Sequence, residues 1–370
     1  MTSDSTDYRR VLGSVEGMRR GFTTGTCAQA ASLAAAKMLI DGKTQTEVTI
    51  SLKDSRRLTI PVVNARIGPE HAECGVIKDA GDDEDVTDGV EVHAAVRYIE
   101  QPGVTILGGQ GIGQVTKQGL PVAPGEAAIN PNPRKQIIRE LTSLKQAGRG
   151  FQVFLTVPEG ERLAKSTWNP RLGIEGGISI IGTTGVVEPK SSAAFKASIA
   201  LNLNILRKSD LKTAALAFGY VGENWYRHRH GWGQDMVVKF ADHFGYTLDM
   251  AASKGFTRIV LAGHVGKMVK VAAGLFDTHW TSGDARLETV AAWAGAAGAD
   301  RAVIKELLTQ DSAEAAVAIL DRNGLNETWE LINNRLLERC RLRLERGGSD
   351  AVFESVLLNL EGRELAHEKI

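Results

Sequence analysis

The hydrophobic and polar positions of this chain follow one rhythm up to about residue 150 and another beyond it. In the first part apolar residues recur at every second position, which is the pattern of half-buried strands. Strands are predicted there at residues 48–52, 58–63, 72–77, 91–99 and 104–107. Two helices interrupt them: an alanine-rich one opens within residues 21–28 and runs to about 40, and another runs from 134 to about 147. Many strands with few helices favour an α+β sandwich.

Beyond residue 150 strands alternate with helices, and most strands run into a glycine-containing turn. Strands are predicted at residues 151–157, 178–181, 214–218, 258–262 and 351–358, and helices at 234–244, 285–297, 312–320 and 326–344. This alternation is typical of a parallel sheet whose loops at the carboxyl ends of the strands bind ligands. We therefore expect an α/β protein of two domains: an N-terminal α+β two-layer sandwich at residues 1–148, and a C-terminal Rossmann-like parallel sheet with helices at 149–370.

Composition and charge narrow the functional classes. The 370 residues carry 44 lysines and arginines against 44 aspartates and glutamates, so no overall field attracts nucleic acid or a membrane. No apolar run approaches ~18 residues, and the polar N-terminus lacks the apolar core of a signal peptide. Cys27, Cys74 and Cys340 are odd in number and far apart, which disfavours a disulfide framework or a structural zinc site. A cytoplasmic protein is expected.

Two glycine-rich turns are candidate ligand loops. Gly182, Thr183, Thr184 and Gly185 follow an apolar run and precede a helix start, so the glycines let the backbone approach a ligand and the threonines offer hydroxyls. A tight turn without a ligand is the open alternative. The second turn follows another predicted strand and contains the glycines Gly109, Gly111 and Gly113. Its spacing does not match a dinucleotide fingerprint, because Gln114 stands where the last glycine is needed.

The helix start at residues 21–28 is a candidate anion site. Thr24 or Thr26 is placed to cap the helix, and together with Thr23 they supply three hydroxyls beside free backbone N–H groups. Such an N-terminus suits a carboxylate or a phosphate. The alternative is simple capping of a small-residue helix packed closely on a sheet.

The densest group of charged residues follows the strand predicted at 258–262. Lys267 and Lys270 are three positions apart at a helix start, so both can face the mouth of the sheet. With Arg171 and Arg286 they predict a local positive pocket in a neutral protein. His264 and His279, close to acids and lysines, point to a site. Nothing fixes a metal geometry for these histidines, so no metal site is expected.

An acidic stretch at residues 79–85 contains five carboxylates. Its usual meaning is a solvated loop, with metal binding as the minority alternative. Its spacing does not match an EF-hand.

Five motifs in this order are similar to a known family: residues 21–28, 121–135, 170–179, 182–185 and 262–267. Together they resemble the CbiD family, the cobalt-precorrin-5B C1-methyltransferases of anaerobic cobalamin synthesis. The resemblance covers about residues 18 to 290 and weakens in the C-terminal helices, and residues 220–230 are richer in aromatics and cations than the family pattern. It implies a two-domain α/β architecture and methyl transfer from S-adenosylmethionine to carbon 1 of cobalt-precorrin-5B, giving cobalt-precorrin-6A.

This resemblance, with the chemistry of methyl transfer, gives each candidate residue an expected role. In-line displacement at a sulfonium needs alignment and a dry pocket rather than a protein nucleophile. The two glycine turns are expected to border S-adenosylmethionine. The corrinoid carboxylates are expected to meet cations and helix N-termini at Thr23, Thr24, Thr26, Arg171, Lys267, Lys270, His279 and Arg286. His264 is the candidate proton acceptor.

The expected partner is a small-molecule corrinoid, with cobalt present only as part of that substrate. Neither nucleic acid nor a membrane is expected, and a homo-oligomer is left open. Two alternatives stay: a non-catalytic corrinoid carrier, and a phosphotransferase that uses residues 23–28 as a phosphate cradle.

Overall fold

The computed structural model describes residues 6–144 and 148–370. The chain is a mixed α/β protein that divides into two compact units, the first ending at Ser191 and the second beginning at Ser192. The boundary predicted at residues 148 and 149 differs from this division. A strand at Gly150–Thr156 pairs with Glu91–Ile99 and Val104–Gly108, so a boundary at 148 would separate a central strand from its sheet. Residues 145–147, the predicted end of the second helix, lie outside the described residues.

The described residues of the first unit form five α-helices and fifteen strands, many of them only two residues long. The helices are α1 (Tyr8–Leu12), α2 (Thr24–Asp41), α3 (Pro131–Ser143), α4 (Gly160–Ala164) and α5 (Asn169–Leu172). The strands are β1 (Ser14–Val15), β2 (Met18–Arg19), β3 (Gly21–Phe22), β4 (Glu47–Ser51), β5 (Arg57–Pro61), β6 (Val63–Ile67), β7 (His71–Ile77), β8 (Glu91–Ile99), β9 (Val104–Gly108), β10 (Gly111–Ile112), β11 (Gln114–Val115), β12 (Gly150–Thr156), β13 (Ile174–Glu175), β14 (Gly177–Ile178) and β15 (Val186–Val187).

Its main sheet has the strand order β6-β7-β8-β12-β9. The alternating pattern of β8 puts Val92, Ala94 and Val96 on a fully buried face. Helix α2 packs on this face through a run of alanines, since small side chains let a helix lie close to a sheet. The alternating strands predicted before residue 150 are confirmed, and their burial fixes the register of the sheet.

The second unit contains eight α-helices and five strands. The helices are α6 (Ser192–Lys208), α7 (Gly219–His230), α8 (Phe244–Ser253), α9 (Val265–Ala272), α10 (Arg286–Ala296), α11 (Arg301–Leu308), α12 (Ala313–Arg322) and α13 (Glu327–Arg346). The strands are β16 (Thr213–Phe218), β17 (Val237–Lys239), β18 (Arg258–His264), β19 (Val352–Leu358) and β20 (Glu364–Lys369). Two short 3-10 turns lie at Gln234–Met236 and Trp280–Ser282.

These strands form one sheet in the order β17-β16-β18-β19-β20. The first four are parallel, and β20 is antiparallel to β19. The carboxyl ends of the four parallel strands therefore meet at one edge. A large apolar cluster from α8, α9 and α13 fills one face, and a smaller cluster around Trp225 and Tyr226 of α7 fills the other.

One element of this unit was predicted wrongly. Residues 234–244 were expected to form a helix, but Val237–Lys239 is strand β17, and helix α8 starts only at Phe244. Val237 and Val238 are almost fully buried and pair with Ala215 and Leu216 of β16. A buried β-branched pair on this edge strand outweighs the helical spacing of the polar residues around it.

Candidate functional site

A narrow crevice in the first unit brings together three segments that are far apart in the sequence. They are the start of α2, the start of α3 and the turn at residues 182–185. The crevice is lined by Thr23, Gly25, Thr26, Gln29, Leu52, Lys53, Asn132, Pro133, Gln136, Gly182, Thr183, Thr184 and Gly185. Two motifs that the sequence analysis treated separately, the threonine helix start and the Gly-Thr-Thr-Gly turn, therefore belong to one site.

The threonines of α2 hold this crevice together. Thr23 is the N-cap, and its hydroxyl accepts a hydrogen bond from the Thr26 N–H at 3.2 Å. The prediction that Thr24 or Thr26 caps this helix is thus wrong, because the N-cap is Thr23. Buried Thr24 donates to the Ser179 carbonyl at 3.1 Å and accepts from the Ile181 N–H at 3.0 Å. The Thr26 hydroxyl donates to the Gly185 carbonyl at 2.7 Å. The hydroxyls of Thr24 and Thr26 therefore both bind the backbone of the segment at residues 179–185.

Glycine is required where the walls of the crevice touch. A Cβ on Gly25 would lie 2.7 Å from Pro133 Cγ and 2.9 Å from the Ile181 carbonyl oxygen, so α2 and α3 meet only because this position has no side chain. Gly185 has a φ of +90°, and a Cβ there would lie 2.9 Å from the Thr26 hydroxyl. The backbone therefore folds over the helix start with no room for a larger residue.

The electrostatics of the crevice favour an anion. None of its described lining residues is a carboxylate, one is Lys53, and neither α2 nor α3 has an acidic residue in its first turn. The positive end of the α2 dipole points into it. The donors are partly used, because the Gly25 N–H bonds to the Ile181 carbonyl at 2.9 Å.

One acceptor and little space complete the crevice. Among the described residues the Gln136 Oε1 atom is buried and has no hydrogen-bond partner. The open space is about 10 Å³, roughly the room of one water molecule. A ligand larger than a water molecule therefore requires the walls of the crevice to move apart.

The other glycine turn lies elsewhere in the first unit. The Gly109 N–H donates to the Leu155 carbonyl at 2.8 Å, and a Cβ on Gly111 would lie 1.8 Å from the Val157 carbonyl oxygen. A Cβ on Gly113 would lie 2.4 Å from Ile174 Cγ2. Close packing against neighbouring backbone and side-chain atoms thus accounts for these glycines, and none of them lines the crevice.

Arg171 also lies outside the crevice. It belongs to α5, and its guanidinium group lies 5.5 Å from the centre of the Trp168 ring. A cation over an aromatic face is a stabilising contact in itself.

In the second unit, His264 has both ring nitrogens engaged. It is the N-cap of α9: Nδ1 accepts from the Gly266 N–H at 3.2 Å, and Nε2 lies 2.8 Å from Glu314 Oε2. Because Nδ1 of His264 accepts a hydrogen bond, the proton of the neutral ring is on Nε2, where it points at the Glu314 carboxylate. Glu314 also accepts from the Leu360 N–H at 3.2 Å, so the histidine connects the ends of β18 and β19.

The two predicted lysines hold a loop. Lys267 donates to Asp242 Oδ1 and to the Thr278 carbonyl, and Thr278 donates its hydroxyl to the same carboxylate at 2.9 Å. Lys270, which is 4% exposed, donates to the carbonyls of Thr278 at 3.3 Å and Gly283 at 2.9 Å. Burial lowers the pKa of Lys270.

Carboxylates balance most of the positive charge predicted here. Burial alone would raise the pKa of Asp242, but the hydrogen bonds from Lys267 and Thr278 outweigh it and lower that pKa. The bond from Arg286 holds the pKa of Asp284 at about 2, and the same pair raises the pKa of Arg286. His279 caps the short turn at Trp280–Ser282 with its Nδ1, 2.7 Å from the Thr281 hydroxyl.

Sequence reasoning missed several residues of both regions. Asn132 of the crevice lies within the Pro- and Asn-rich stretch at residues 121–133, and Gln136 follows it; the length and composition of that stretch were the signal for a ligand-wrapping segment. Asp242 carries no local signal, since it lies 25 residues from Lys267.

Two carboxylates of the acidic stretch at residues 79–85 bind side chains within the first unit. Asp79 accepts from Arg19 at 2.7 Å and from the Tyr8 hydroxyl at 3.1 Å, and Asp85 accepts from buried Lys78 at 2.7 Å. No group of three or more His, Cys, Asp or Glu side chains in the described chain is arranged to hold a metal ion. Likewise, the described residues include no helix long and apolar enough to cross a membrane.

Comparisons with known proteins give consistent matches. Two family models match this chain, CbiD over residues 13–189 and the CbiD C-terminal domain over residues 277–369. The cobalt-precorrin-5B C(1)-methyltransferase of Thermoanaerobacter sp. (strain X514) is 40% identical, over 88% of this chain and 89% of that protein. The protein of the same name from Moorella thermoacetica is 39% identical over 96% of both chains. A solved structure, the cobalamin biosynthesis protein (cbiD) of Archaeoglobus fulgidus, is 29% identical over 70% of this chain and 82% of its own, with a TM-score of 0.38.

Proposed function

This chain belongs to the CbiD family, and we propose that it methylates carbon 1 of cobalt-precorrin-5B with S-adenosylmethionine as the methyl donor. It is a methyltransferase of cobalamin biosynthesis. The product is cobalt-precorrin-6A. The cobalt belongs to the substrate, so no resident metal is needed.

One observation carries the assignment of the site. The segments at residues 21–28, 130–136 and 182–185 meet around one crevice although up to about 160 residues separate them. These segments also carry the motifs that resemble the family. A fold that needed only tight turns would not have to bring three such segments to one point.

The chemistry of the crevice fits the amino-acid end of S-adenosylmethionine. A carboxylate would face the α2 N-terminus and Lys53, and no acidic side chain is among the described lining residues. An ammonium group would need acceptors, and Gln136 Oε1 and the carbonyls of the turn at residues 182–185 supply them. A bare carboxylate arm of the corrinoid would leave these acceptors unused. Thr23, Thr26 and residues 182–185 therefore serve one ligand.

For the second unit we propose a Rossmann-like interpretation, with the corrinoid at the carboxyl ends of its parallel strands. Partly exposed Lys267, His279 and Arg286 can turn toward substrate carboxylates by exchanging their present partners. Buried Lys270 acts by holding its loop. The proton-acceptor role of His264 stays a prediction, because it requires Nδ1 to give up the Gly266 N–H. The chain supplies alignment and a dry pocket, and the macrocycle carbon attacks the methyl group directly.

The deciding experiment supplies purified protein with methyl-labelled S-adenosylmethionine and cobalt-precorrin-5B. Label at carbon 1 of the product is expected. A protein that binds the coloured corrinoid but incorporates no label would be a carrier, and a protein that binds ATP but not the labelled donor would be a phosphotransferase. Either result would contradict the proposed function.

A further inference from the structure

The three most exposed large apolar side chains of the described residues lie in one part of the second unit. They are Trp280, Tyr220 and Leu360, with 76%, 67% and 60% of their surfaces in contact with solvent. Tyr220 is two residues past the end of β16, and Leu360 is two residues past the end of β19. Trp280 begins the short turn that follows α9.

The sheet places these residues along one edge. Strands β17, β16, β18 and β19 are parallel neighbours in that order, and Phe218 pairs with Gly263 while His264 pairs with Leu358. Tyr220 and Leu360 therefore follow the strands on either side of His264. Thr278 ties the Trp280 turn to the residues after β17, because its N–H donates to the Asp242 carbonyl at 3.1 Å. Neighbouring strands lie ~4.8 Å apart, so four strand ends span about 14 Å.

The turn that carries Trp280 is held firmly although its aromatic side chain is not. Lys270 binds the carbonyls at both ends of the turn, Thr278 and Gly283, from a buried position. Lys267 adds a bond to the Thr278 carbonyl at 3.1 Å. Burying an ammonium group is unfavourable, and here it fixes a loop whose largest side chain remains in solvent. An anchored loop that presents an exposed tryptophan is the form of a binding element rather than of a packing element.

We propose that Tyr220, Trp280 and Leu360 form a platform that binds one apolar face of the corrin macrocycle, an inference that rests on the proposed function. The chain passes from β16 outward to β17 and then crosses back past β16 to β18, so the direction of winding changes between β16 and β18. In open parallel sheets, ligands bind at the carboxyl ends of the strands where the direction of winding changes. His279 caps the turn that carries Trp280 with its Nδ1, so its Nε2 would donate to a carboxylate arm at the perimeter of the ring.

A second copy of the chain is the less suitable occupant. Three side chains expose far less than the ~800 Å² that each partner of a stable interface buries. A rigid planar ring can contact all three at once, since its apolar face is continuous and its polar arms stay outside.

The test measures binding of cobyrinic acid, a stable corrin with free carboxylates, to the full chain by absorbance titration. Trp280→Ala is expected to raise the dissociation constant about tenfold and Leu360→Ala a few-fold, while Trp280→Phe keeps most of the affinity. The KM for cobalt-precorrin-5B should rise in parallel, and the KM for S-adenosylmethionine should not change. Leu342→Ala removes a leucine on α13 that is 46% exposed and serves as the matched control.

The outcomes separate the platform from the proposed function. A Tyr220→Ala, Trp280→Ala double variant with unchanged corrin affinity and unchanged KM would overturn the platform and leave the methyltransferase assignment intact. A wild-type chain that neither binds the corrin nor methylates cobalt-precorrin-5B overturns both. Sedimentation that shows a wild-type dimer dissociated by Trp280→Ala assigns the patch to self-association and also overturns the platform.

Discussion

The crevice of the first unit and the strand edge of the second use polar side chains in opposite ways. Around the crevice, threonine hydroxyls bind backbone carbonyls, and the lining contains Lys53 but no carboxylate. At the strand edge, Lys267 and Arg286 each meet a carboxylate of the same unit. The difference teaches that a count of cations does not locate an anion site. An anion site requires cations that are not already paired with carboxylates of the same fold.

The two units also differ in how each stabilises a buried lysine. Lys78 of the first unit is 2% exposed and pairs with Asp85, whereas Lys270 of the second is 4% exposed and meets only carbonyl oxygens. The first is an ion pair that is costly to break, and the second is a charge held by dipoles.

The largest effect is expected for Asp85→Asn. The change leaves the Lys78 ammonium group buried without its counterion, so the free energy of unfolding should fall by about 3 kcal/mol. Urea unfolding at pH 7 measures it. Asp284→Asn is the comparison variant, because its partner Arg286 is partly exposed and can be solvated; it should change stability by less than about 1 kcal/mol. Equal effects of the two variants would mean that the Lys78 pair contributes no more than a surface pair.

A second large effect is expected for Gly25→Ala. Its methyl group would contact Pro133 and the Ile181 carbonyl, so α2 must move away from α3 at a cost of about 2 kcal/mol, and the crevice should lose affinity for S-adenosylmethionine. Gly42→Ala is the control at the other end of the same helix, where a Cβ meets nothing within 4 Å. It should cost about 1 kcal/mol through its left-handed backbone and leave the KM for the donor unchanged. An equal rise in the KM for S-adenosylmethionine in both variants would contradict the assignment of the Gly25 contact to donor binding.

The sequence predicted more of the fold than of the site, for a physical reason. The alternation of residues 91–99 and the alanine run of α2 are local patterns that burial enforces, and both elements formed as expected. The Gly-Thr-Thr-Gly turn is also a local pattern, but its residues are exposed or only partly buried, so its glycine spacing rather than burial predicted it. The partner of Lys267 was not predicted, because Asp242 is brought to it by the crossover between β17 and β18. Short-range periodicity contains no information about which carboxylate a crossover delivers.

A smaller effect is expected for Thr26→Val, which keeps the shape of the side chain and removes its hydroxyl. The Gly185 carbonyl then keeps only the Thr23 N–H as a donor, so the variant should lose about 1 kcal/mol of stability and the turn should loosen over the crevice. The KM for S-adenosylmethionine is the informative measurement, and it should rise severalfold. Thr49→Val removes a hydroxyl bond to Thr59 in the β4-β5 hairpin and should leave that KM unchanged. A normal KM in Thr26→Val would separate the turn from donor binding.

The smallest effect concerns the pH dependence that Lys270 contributes. Burial lowers its pKa in the folded chain below the ordinary value of 10.5, so between the two values the unfolded state holds more protons than the folded state. Its contribution to stability therefore increases as the pH rises through that window toward 10.5, and at neutral pH the charged group is a net cost. Lys270→Gln keeps a donor for one carbonyl and removes the charge, so the variant should lack this increase. Unfolding of both chains in urea at several pH values between 8 and 10.5 measures the difference. A difference that does not change with pH would show that the Thr278 and Gly283 carbonyls fully replace the water that Lys270 loses, and the contrast with the ion-paired Lys78 would then disappear.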